Sequence, residues 1–340
     1  MDLKILQSTD KNRGIFMPGF TTHYLFGIDA YTHIPCGSFR DNLKHNHSAF
    51  ALGLQGPDLF FYYLPSYLMH RQNIGALAHS SHTGAFFANL LDSRQLFSEK
   101  PQALGIADAY ITGFIGHYTL DCAVHPYVYA FTGYNPKTPP SHTQYFGQHA
   151  YFETEIDCEL LFRKKRLYPS EFHQSATIRL SHLQRKVITR MLVYAYRSTY
   201  PGIAASDILL GGAPLWMKLG TRFLRDPSGQ KKVLARLIEK LFLGRAFLSP
   251  MVASDYYRFI EDPLNLTRRG WKHPWTGEIH HTSFPELYQQ AEVLYLKRIR
   301  ELAHLLRDGC PANEKETFLL EYGNRSFLSG LFCSEASLPA

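Results

Sequence analysis

The chain has 340 residues, of which 45% are hydrophobic and 19% charged, and this composition predicts a compact globular protein. The formal charge of +7 is spread along the chain, which favours solvated helix faces, with an anionic phosphate ester or lipid headgroup as the alternative partner. Five scattered cysteines without a Cys-x-x-Cys pair argue against a disulfide framework and against a thiolate zinc site.

The N-terminal segment, residues 1–16, is interrupted by charged side chains and lacks the hydrophobic stretch of a signal peptide. No apolar run in the chain reaches the roughly 18 residues that a membrane span needs. We therefore expect a cytoplasmic protein in which residues 1–16 form an N-terminal arm.

The first predicted helices each carry a side chain that could bind a metal ion. Phe20 to Tyr31 is aromatic and apolar around His23, and this pattern predicts the first helix of the fold. The turn signature Gly56-Pro57-Asp58 places the Asp58 carboxylate at the start of a helix that continues to Leu64. The alternative role for this carboxylate is a simple helix cap.

Asn73 to Leu91 predicts a longer amphipathic helix. It carries His79 and His82, which are three residues apart and therefore neighbours on the helix surface.

The strongest metal-binding pattern follows, where His117, Asp121 and His125 stand at intervals of four residues. On a helix this spacing places the three side chains in one short stripe. Their neighbours are apolar or aromatic, and an imidazole or carboxylate in such surroundings needs a partner. Ligands that point inward from facing helices are one way to build a metal site in a bundle, and core histidines around an aspartate are the alternative.

The helix that carries this stripe is predicted to run from Ala109 to His125. Gly113 and Gly116 would allow another backbone to approach it closely, because glycine has no Cβ. Pro126 is expected to end the helix directly after the last histidine.

Gln148 to Leu161 resumes the helical pattern after a proline-rich loop. His149 and Glu153 are four residues apart on this helix, and such a pair can hold one ion from one helix face. The alternative is an ordinary pair on a helix surface.

The second half of the chain predicts a further group of packing helices. Thr177 to Tyr196, Gln230 to Phe247 and Pro285 to Arg307 show apolar residues at helical spacing with basic residues between them. Between the last two lies a long loop-rich insert, Glu261 to Phe284. Such loops often act as lids or binding loops. Its tryptophans, Trp271 and Trp275, are interpreted either as a foothold on lipid or a pocket rim, or as a structural aromatic clasp.

The predicted fold is all-α, without a strand. We expect three parts: the N-terminal arm (1–16), a metal-binding helical core (17–165) and a C-terminal helical region packed on that core (166–340).

Eight side chains with nitrogen or oxygen ligand atoms lie within the first 153 residues: His23, Asp58, His79, His117, Asp121, His125, His149 and Glu153. Zinc takes roughly three or four such ligands, so the set fits roughly two or three ions. Asp121, at the centre of its stripe, is placed to bridge two of them.

Five motifs carry a family resemblance: Met17-Pro-Gly-Phe-Thr-Thr-His23, Gly56-Pro-Asp58, His79, the run from His117 to Pro126 (HYTLDCAVHP), and His149-Ala-Tyr-Phe-Glu153. Together they resemble the zinc-dependent phospholipase C family, in its bacterial non-secreted branch. The resemblance covers Met17 to about Asp157 well and the remainder loosely. It implies an all-α, multi-helix phospholipase C-like bundle with a multinuclear metal site and additional C-terminal helices.

The resemblance also implies how the ligands are shared. Asp58, His79, His117 and the bridging Asp121 would hold one zinc ion, His125, His149 and Glu153 a second, and His23 with Asp121 a third. Asp58 would in addition orient the attacking water.

This sequence departs from the secreted members of the family at two points. Those members complete the third site with a processed N-terminal tryptophan, and nothing comparable precedes His23. They also place five residues between the bridging aspartate and the next histidine, where three separate Asp121 from His125. His82 is a lower-ranked substitute ligand.

The implied function is that of a zinc-dependent phosphoric diester hydrolase that cleaves a phospholipid headgroup by a metal-bound hydroxide. Zinc lowers the pKa of a bound water to about 7, which supplies hydroxide at neutral pH. The expected partners are a phospholipid or another phosphodiester, with peripheral membrane contact. Two alternatives stay open: a single-strand-specific zinc nuclease of the same helical class, with nucleic acid as its substrate, and a non-catalytic, metal-stabilised binding protein.

Overall fold

The structure is a computed structural model that describes residues 19–70, 72–138, 142–244, 246, 248–256 and 260–333. Within these residues almost all of the regular secondary structure is helical, which confirms the all-α prediction. The arm predicted for residues 1–16 lies outside the described residues.

The described part of the chain contains fifteen α-helices. In chain order they are α1 (Phe20–His33), α2 (Ser38–His45), α3 (His47–Gly53), α4 (Leu64–His70), α5 (Ile74–Ser80), α6 (Thr83–Asp92), α7 (Pro101–Phe131), α8 (His142–Lys165), α9 (Gln174–Thr177), α10 (His182–Thr199), α11 (Asp207–Leu210), α12 (Ala213–Phe223), α13 (Gln230–Ile238), α14 (Phe284–Arg307) and α15 (Ala312–Phe318).

Short elements of other kinds connect these helices. Three are 3-10 helices (Gly56–Tyr62, Ser93–Phe97, Ser249–Met251), and two are π-helical (Glu239–Leu243, Leu319–Gly323). The prediction of no strand is wrong in two places. β1 (Arg225–Asp226) pairs in parallel with β2 (Ala253–Ser254), and β3 (Trp271–Lys272) pairs antiparallel with β4 (Ile279–His280).

Helix α7 is the centre of the fold. Every residue from Ala109 to Asp121 is buried, as expected for a helix that is apolar around its whole circumference. Helices α1, α3, α10 and α14 pack against it. Residues from both halves of the chain therefore contribute to one hydrophobic core. The boundary between core and C-terminal region at residue 165 stays a prediction.

The close approach of another backbone at Gly113 is confirmed. A Cβ added to Gly113 would lie 2.1 Å from the carbonyl oxygen of Phe50, so only glycine lets α3 come this near to α7. At Gly116 the neighbours are the side chains of Leu54 and Tyr295 instead of a backbone.

The prediction that Pro126 ends the central helix is wrong, because α7 continues to Phe131. Pro126 lacks the N–H that would bond to the carbonyl of Cys122. That carbonyl faces Gly330, whose backbone comes so close that an added Cβ would lie 2.3 Å from the Cys122 oxygen. A segment from the end of the described chain thus covers the helix where the proline interrupts its hydrogen bonds.

The prediction of a single helix from Asn73 to Leu91 is also wrong, since the helix is interrupted between α5 and α6. His82 stands at the break in the left-handed conformation, with a φ of 53°. The hydroxyl of Tyr200 donates to the carbonyl of Ser81, immediately before it. The break turns His82 outward, away from His79, and its side chain is exposed.

The insert from Glu261 to Phe284 packs against α7. Trp271 is only 7% exposed, and its indole N–H donates to a backbone carbonyl. Its ring lies edge-on to Tyr127 at a centroid distance of 5.6 Å, and the ring of Trp275 meets Tyr129 at 5.3 Å. These contacts favour the structural clasp over the lipid foothold.

Candidate metal centre

All eight side chains that the sequence singles out as ligands lie together beside the middle of α7. They come from α1 (His23), the 3-10 helix Gly56–Tyr62 (Asp58), α5 (His79), α7 (His117, Asp121, His125) and α8 (His149, Glu153). None of them is more than 8% exposed. Five separate elements, distant in sequence, therefore converge on one buried polar cluster.

Asp121 directs its two carboxylate oxygens to different histidines. Its Oδ2 lies 3.1 Å from Nε2 of His117 and 3.6 Å from Nε2 of His79. Its Oδ1 lies 3.1 Å from Nε2 of His23 and 3.7 Å from Nε2 of His125. A carboxylate in this position can contribute to two neighbouring ions at once.

One side of the cluster is formed around His117. The ligand atoms of His79, His117 and Asp121 lie within 4.8 Å of one another, and so do those of His23, Asp58 and His117. Asp58 Oδ1 is 3.2 Å from Nε2 of His79, which itself is 3.3 Å from Nε2 of His117. Five possible ligands thus share this side, and their assignment to individual ions stays a prediction.

The other side of the cluster is formed by His125, His149 and Glu153, whose ligand atoms also lie within 4.8 Å of one another. Glu153 Oε1 is 3.1 Å from Nε2 of His149 and 3.5 Å from Nε2 of His125. The hydroxyl of Tyr145 lies 3.4 Å from Nδ1 of His149. These three ligands are the set that the family resemblance implies for the second zinc ion.

Backbone carbonyls fix the orientation of two of the imidazole rings. Nδ1 of His79 donates to the carbonyl of Gly75 at 2.8 Å, and Nδ1 of His125 donates to the carbonyl of Phe327 at 2.7 Å. Because a carbonyl can only accept, Nδ1 carries the proton and Nε2 is left to face the cluster. This is the tautomer that a metal-binding histidine needs.

The cluster strongly shifts the pKa values of its members. Burial alone would lower the pKa of His79, but the carboxylates of Asp121 and Asp58 outweigh it and raise the pKa to about 10. For His125, burial is likewise outweighed by the carboxylates of Asp121 and Glu153, which raise the pKa to about 9. Burial would raise the pKa of Glu153, but the neighbouring imidazoles lower it to about 2. The carboxylates of Glu153 and Asp121 are therefore ionised, and they attract positive charge to this site.

The ligand atoms fit a group of metal ions. Both oxygens of Asp121, Oδ1 of Asp58 and Oε2 of Glu153 are buried and receive no hydrogen bond of normal geometry. Anionic oxygens in this state are costly unless a cation compensates them. Imidazole nitrogens together with carboxylate oxygens are the donor set typical of zinc outside thiolate sites.

Gly56 is the local feature that lets Asp58 and His117 approach each other. It has a φ of +48°, in the region that favours glycine, and an added Cβ would lie 2.2 Å from Cδ2 of His117. The turn predicted at Gly56-Pro57-Asp58 is present, although it leads into a 3-10 helix and α4 begins only at Leu64.

Asp157 supports the site from α8 without being one of its ligands. Its carboxylate accepts the backbone N–H groups of Thr21 and Thr22, at 3.0 and 2.8 Å, and so caps the first turn of α1, which carries His23. Burial raises the pKa of Asp157 to about 7 although these hydrogen bonds oppose the rise. A signal for Asp157 exists in the sequence, because it follows Glu153 by four residues.

Phe327 also supports the candidate metal centre, although no sequence pattern indicated it. Its ring centroid lies 4.7 Å from that of His79 and 4.9 Å from that of Tyr118, and its carbonyl holds His125. Tyr118 anchors the same segment, because its hydroxyl accepts the N–H of Arg325 and donates to the Arg325 carbonyl. No local pattern near residue 327 points to this role, since the contacts join residues about 200 positions apart.

His82, the substitute ligand, is not brought to the cluster. It is exposed, and the ring contact that the structure records for it is with Tyr200, at a centroid distance of 6.1 Å. The proposal that His82 replaces a ligand is therefore wrong.

A family model described as zinc dependent phospholipase C matches residues 22–205, which is more than half of the chain. The chain belongs to the zinc-dependent phospholipase C family. The matched range includes the positions of all eight candidate ligands, which the fold brings together. No curated protein and no solved structure shows significant similarity to this member of the family.

Proposed function

We propose that this protein is a zinc-dependent phosphoric diester hydrolase that removes the phosphorylated headgroup from a phospholipid. At the level of the family, its function is of the zinc-dependent phospholipase C type. The observation that carries the finer proposal is the convergence of eight buried ligands around Asp121, since so many donors exceed the needs of a single structural ion.

The side chains divide into two holding groups. His79, His117 and Asp121 would hold zinc on one side, and His125, His149 and Glu153 on the other. When bound, zinc would lower the pKa of a coordinated water to about 7 and stabilise negative charge on phosphoryl oxygens. His23 and Asp58 adjoin the first group and complete the expected set of ligands.

Asp58 is our candidate for orienting the attacking water. Its Oδ1 is buried, lies 3.2 Å from Nε2 of His79 and receives no hydrogen bond of normal geometry. A carboxylate oxygen in this state can accept a hydrogen bond from a water molecule, and this bond can direct a lone pair of the water oxygen toward phosphorus. Water oxygen would then bond to phosphorus, while the bond from phosphorus to the glycerol oxygen breaks and that oxygen gains a proton.

The substrate class rests on the family, and the structure adds two observations. Trp271 and Trp275, which could have stacked on bases, instead contact Tyr127 and Tyr129. Among the helices in the described part of the chain, none has an apolar stretch long enough to cross a bilayer. The proposed encounter with lipid is therefore peripheral.

The test is to incubate zinc-loaded protein with phosphatidylcholine and measure the release of diacylglycerol and phosphocholine. We expect both products, loss of turnover with a chelator, and recovery with added zinc. Hydrolysis of single-stranded nucleic acid without release of any lipid headgroup would replace the proposal by the nuclease. Zinc-loaded protein that cleaves no phosphodiester would favour the metal-stabilised binding protein.

A further inference from the structure

Helix α12 turns an apolar side to solvent. Leu219 is 50% exposed, Phe223 is 57% exposed and Trp216 is 40% exposed, whereas Met217 and Thr221 on the opposite side are buried. Leu219 and Phe223 are one helical turn apart and therefore lie on one face. Apolar side chains that are grouped in this way usually mark an interaction surface.

Helix α13 and the π-helical turn after it repeat this pattern in a more extreme form. Leu234 and Leu237 are 57% and 52% exposed, and Phe242 is 79% exposed. The inward positions are occupied by charged residues, because Lys232 and Glu239 are 4% exposed each. This stretch thus differs from an ordinary surface helix, because Lys232 and Glu239 occupy buried positions while Leu234, Leu237 and Phe242 face solvent.

We name the exposed apolar side chains of two neighbouring stretches, α12 and α13 with Glu239–Leu243, the outer apolar surface. They meet where Nζ of Lys231 donates to the carbonyl of Phe223 and lies 5.2 Å from the centroid of its ring.

The charges of this segment have one sign at the surface. Residues 213–244 contain seven lysines and arginines and two acidic residues. Both acidic residues are buried and hydrogen-bonded: Asp226 accepts the N–H of Lys232, and Glu239 accepts that of Ser249. Within residues 213–244, the exposed apolar side chains therefore alternate along the chain with basic side chains, and this segment has no exposed acid.

We propose that the outer apolar surface docks on an anionic lipid bilayer, an inference that rests on the proposed function because it places the enzyme on its substrate. Apolar side chains flanked by Lys and Arg are the combination that binds the boundary between headgroups and acyl chains. A second copy of the chain is a poorer occupant, since a two-fold contact would bring like basic charges together.

The outer apolar surface adjoins the elements that hold the metal ligands. Gly220 of α12 lies so close to Tyr62 that an added Cβ would be 2.5 Å from the Tyr62 ring, four residues after Asp58. Beyond α13, Ala246 packs on Gly147, two residues before His149. Docking at this surface would bring the cluster next to the bilayer.

The test is flotation of the full chain with vesicles of phosphatidylcholine alone and of phosphatidylcholine with phosphatidylglycerol. We expect binding that requires phosphatidylglycerol and weakens with salt. The variant F223S/F242S should bind at least about tenfold less, because two exposed phenyl rings lose their burial in lipid. The control I279S/V293S replaces side chains that are 72% and 67% exposed elsewhere, and it should bind like the unaltered protein.

A charge variant, K218Q/K240Q, should weaken binding only to vesicles that contain phosphatidylglycerol. Equal vesicle binding by F223S/F242S and the unaltered chain would overturn the proposal. So would a dimer, seen by analytical ultracentrifugation, that this variant dissociates while no vesicle is bound. Vesicle binding by protein that releases no headgroup would reject the proposed function and still support docking.

Discussion

Asp121 determines how the cluster is joined. Its Oδ2 faces His117 and its Oδ1 faces His23, both at 3.1 Å, so each oxygen has its own histidine neighbours. The pKa of its carboxyl is held well below the usual range, because nearby imidazoles outweigh the effect of burial. The Asp121 carboxyl is therefore ionised at neutral pH, the form that binds metal.

Replacing Asp121 with alanine should weaken metal binding on both sides of the cluster. We expect the D121A protein to contain at least about one zinc fewer per chain than the unaltered protein, measured by elemental analysis. The matched control is H82A, because His82 lies close in sequence to the ligand His79 but is exposed and outside the cluster. Equal zinc content in the two variants would exclude the bridging role of Asp121.

The protonation of His79 and His125 links metal binding to pH. Their pKa values are raised from 6.5 to about 10 and about 9 in the protein without metal. The stability that comes from these raised values is fully present below pH 6.5 and is lost as the pH rises through about 9 and 10. Zinc requires the same imidazoles to be neutral, so its binding releases protons.

We therefore predict opposite pH trends for the two forms. The melting temperature of metal-free protein should fall between pH 7 and pH 10, while its affinity for zinc should rise by about tenfold or more per pH unit. Calorimetric scans of metal-free protein and competition titrations with a zinc indicator measure the two quantities. A zinc affinity that is constant across this range would contradict the protonated state assigned to these histidines.

At the scale of elements, two tight contacts support the site. The first is the turn at Gly56, where the backbone passes directly beside the ring of His117.

The substitution G56A should displace His117 and lower the zinc content. Its control is G133A, because Gly133 also has a positive φ, +71°, but in the described part of the chain no atom beyond its own chain neighbours lies within 4 Å of an added Cβ. Each alanine should cost roughly 1 kcal/mol in the free energy of unfolding through its strained backbone. Only G56A should lose zinc in elemental analysis, and retention of zinc by both proteins would show that His117 tolerates the added methyl group.

The second contact is the segment Arg325–Phe332, which closes over α7 and includes one isolated β-bridge between its ends. Its Phe327 carbonyl orients His125, and Gly330 covers the carbonyl freed by Pro126.

A chain that ends at Asn324 should bind zinc about 10- to 100-fold more weakly, because His125 loses the carbonyl that fixes its ring. A chain that ends at Cys333 keeps the whole segment and serves as the control. The measurement is a competition titration with a zinc chelator. Equal affinity of the two chains would mean that His125 needs no support from this segment.

The sequence predicts local elements well where a pattern is long and regular, as in α1, α8, α10 and α14. It fails where a distant contact decides the outcome. A proline such as Pro126 is typical of a helix end. The helix continues past it, and the residue that covers the freed carbonyl, Gly330, lies far away in the sequence. The helix break at His82 is accompanied by a hydrogen bond from Tyr200, directly after α10, to the preceding residue Ser81. Neither contact has a local signature.

The same distinction applies to the whole site. The ligands themselves are visible in the sequence, because metal chemistry demands His, Asp and Glu at helical spacing. The role of Phe327 cannot be predicted from the sequence, since Phe327 orients His125 through its backbone carbonyl, which any residue type supplies. The outer apolar surface is also hidden, because the apolar spacing of α13 is the same whether its apolar face points inward or outward.

Across the whole molecule, basic residues that pair with acidic neighbours can be distinguished from the basic residues of segment 213–244. Several basic residues form ion pairs with acidic neighbours, as Lys164 does with Asp29 at 2.7 Å and Lys297 with Glu321 at 2.9 Å. The segment 213–244 differs because its two acidic residues are buried. The net charge of +7 therefore has different meanings in different parts of the chain. In our proposal only the segment 213–244 faces lipid.

The number of metal ions held by the cluster decides whether the centre is multinuclear. The decisive measurement is elemental analysis of protein produced with ample zinc and purified without chelator. We predict at least about two zinc ions per chain, because the eight buried candidate ligands, Asp121 and seven around it, exceed the capacity of one ion. One zinc ion or none per chain would contradict the multinuclear centre and the reaction proposed for it.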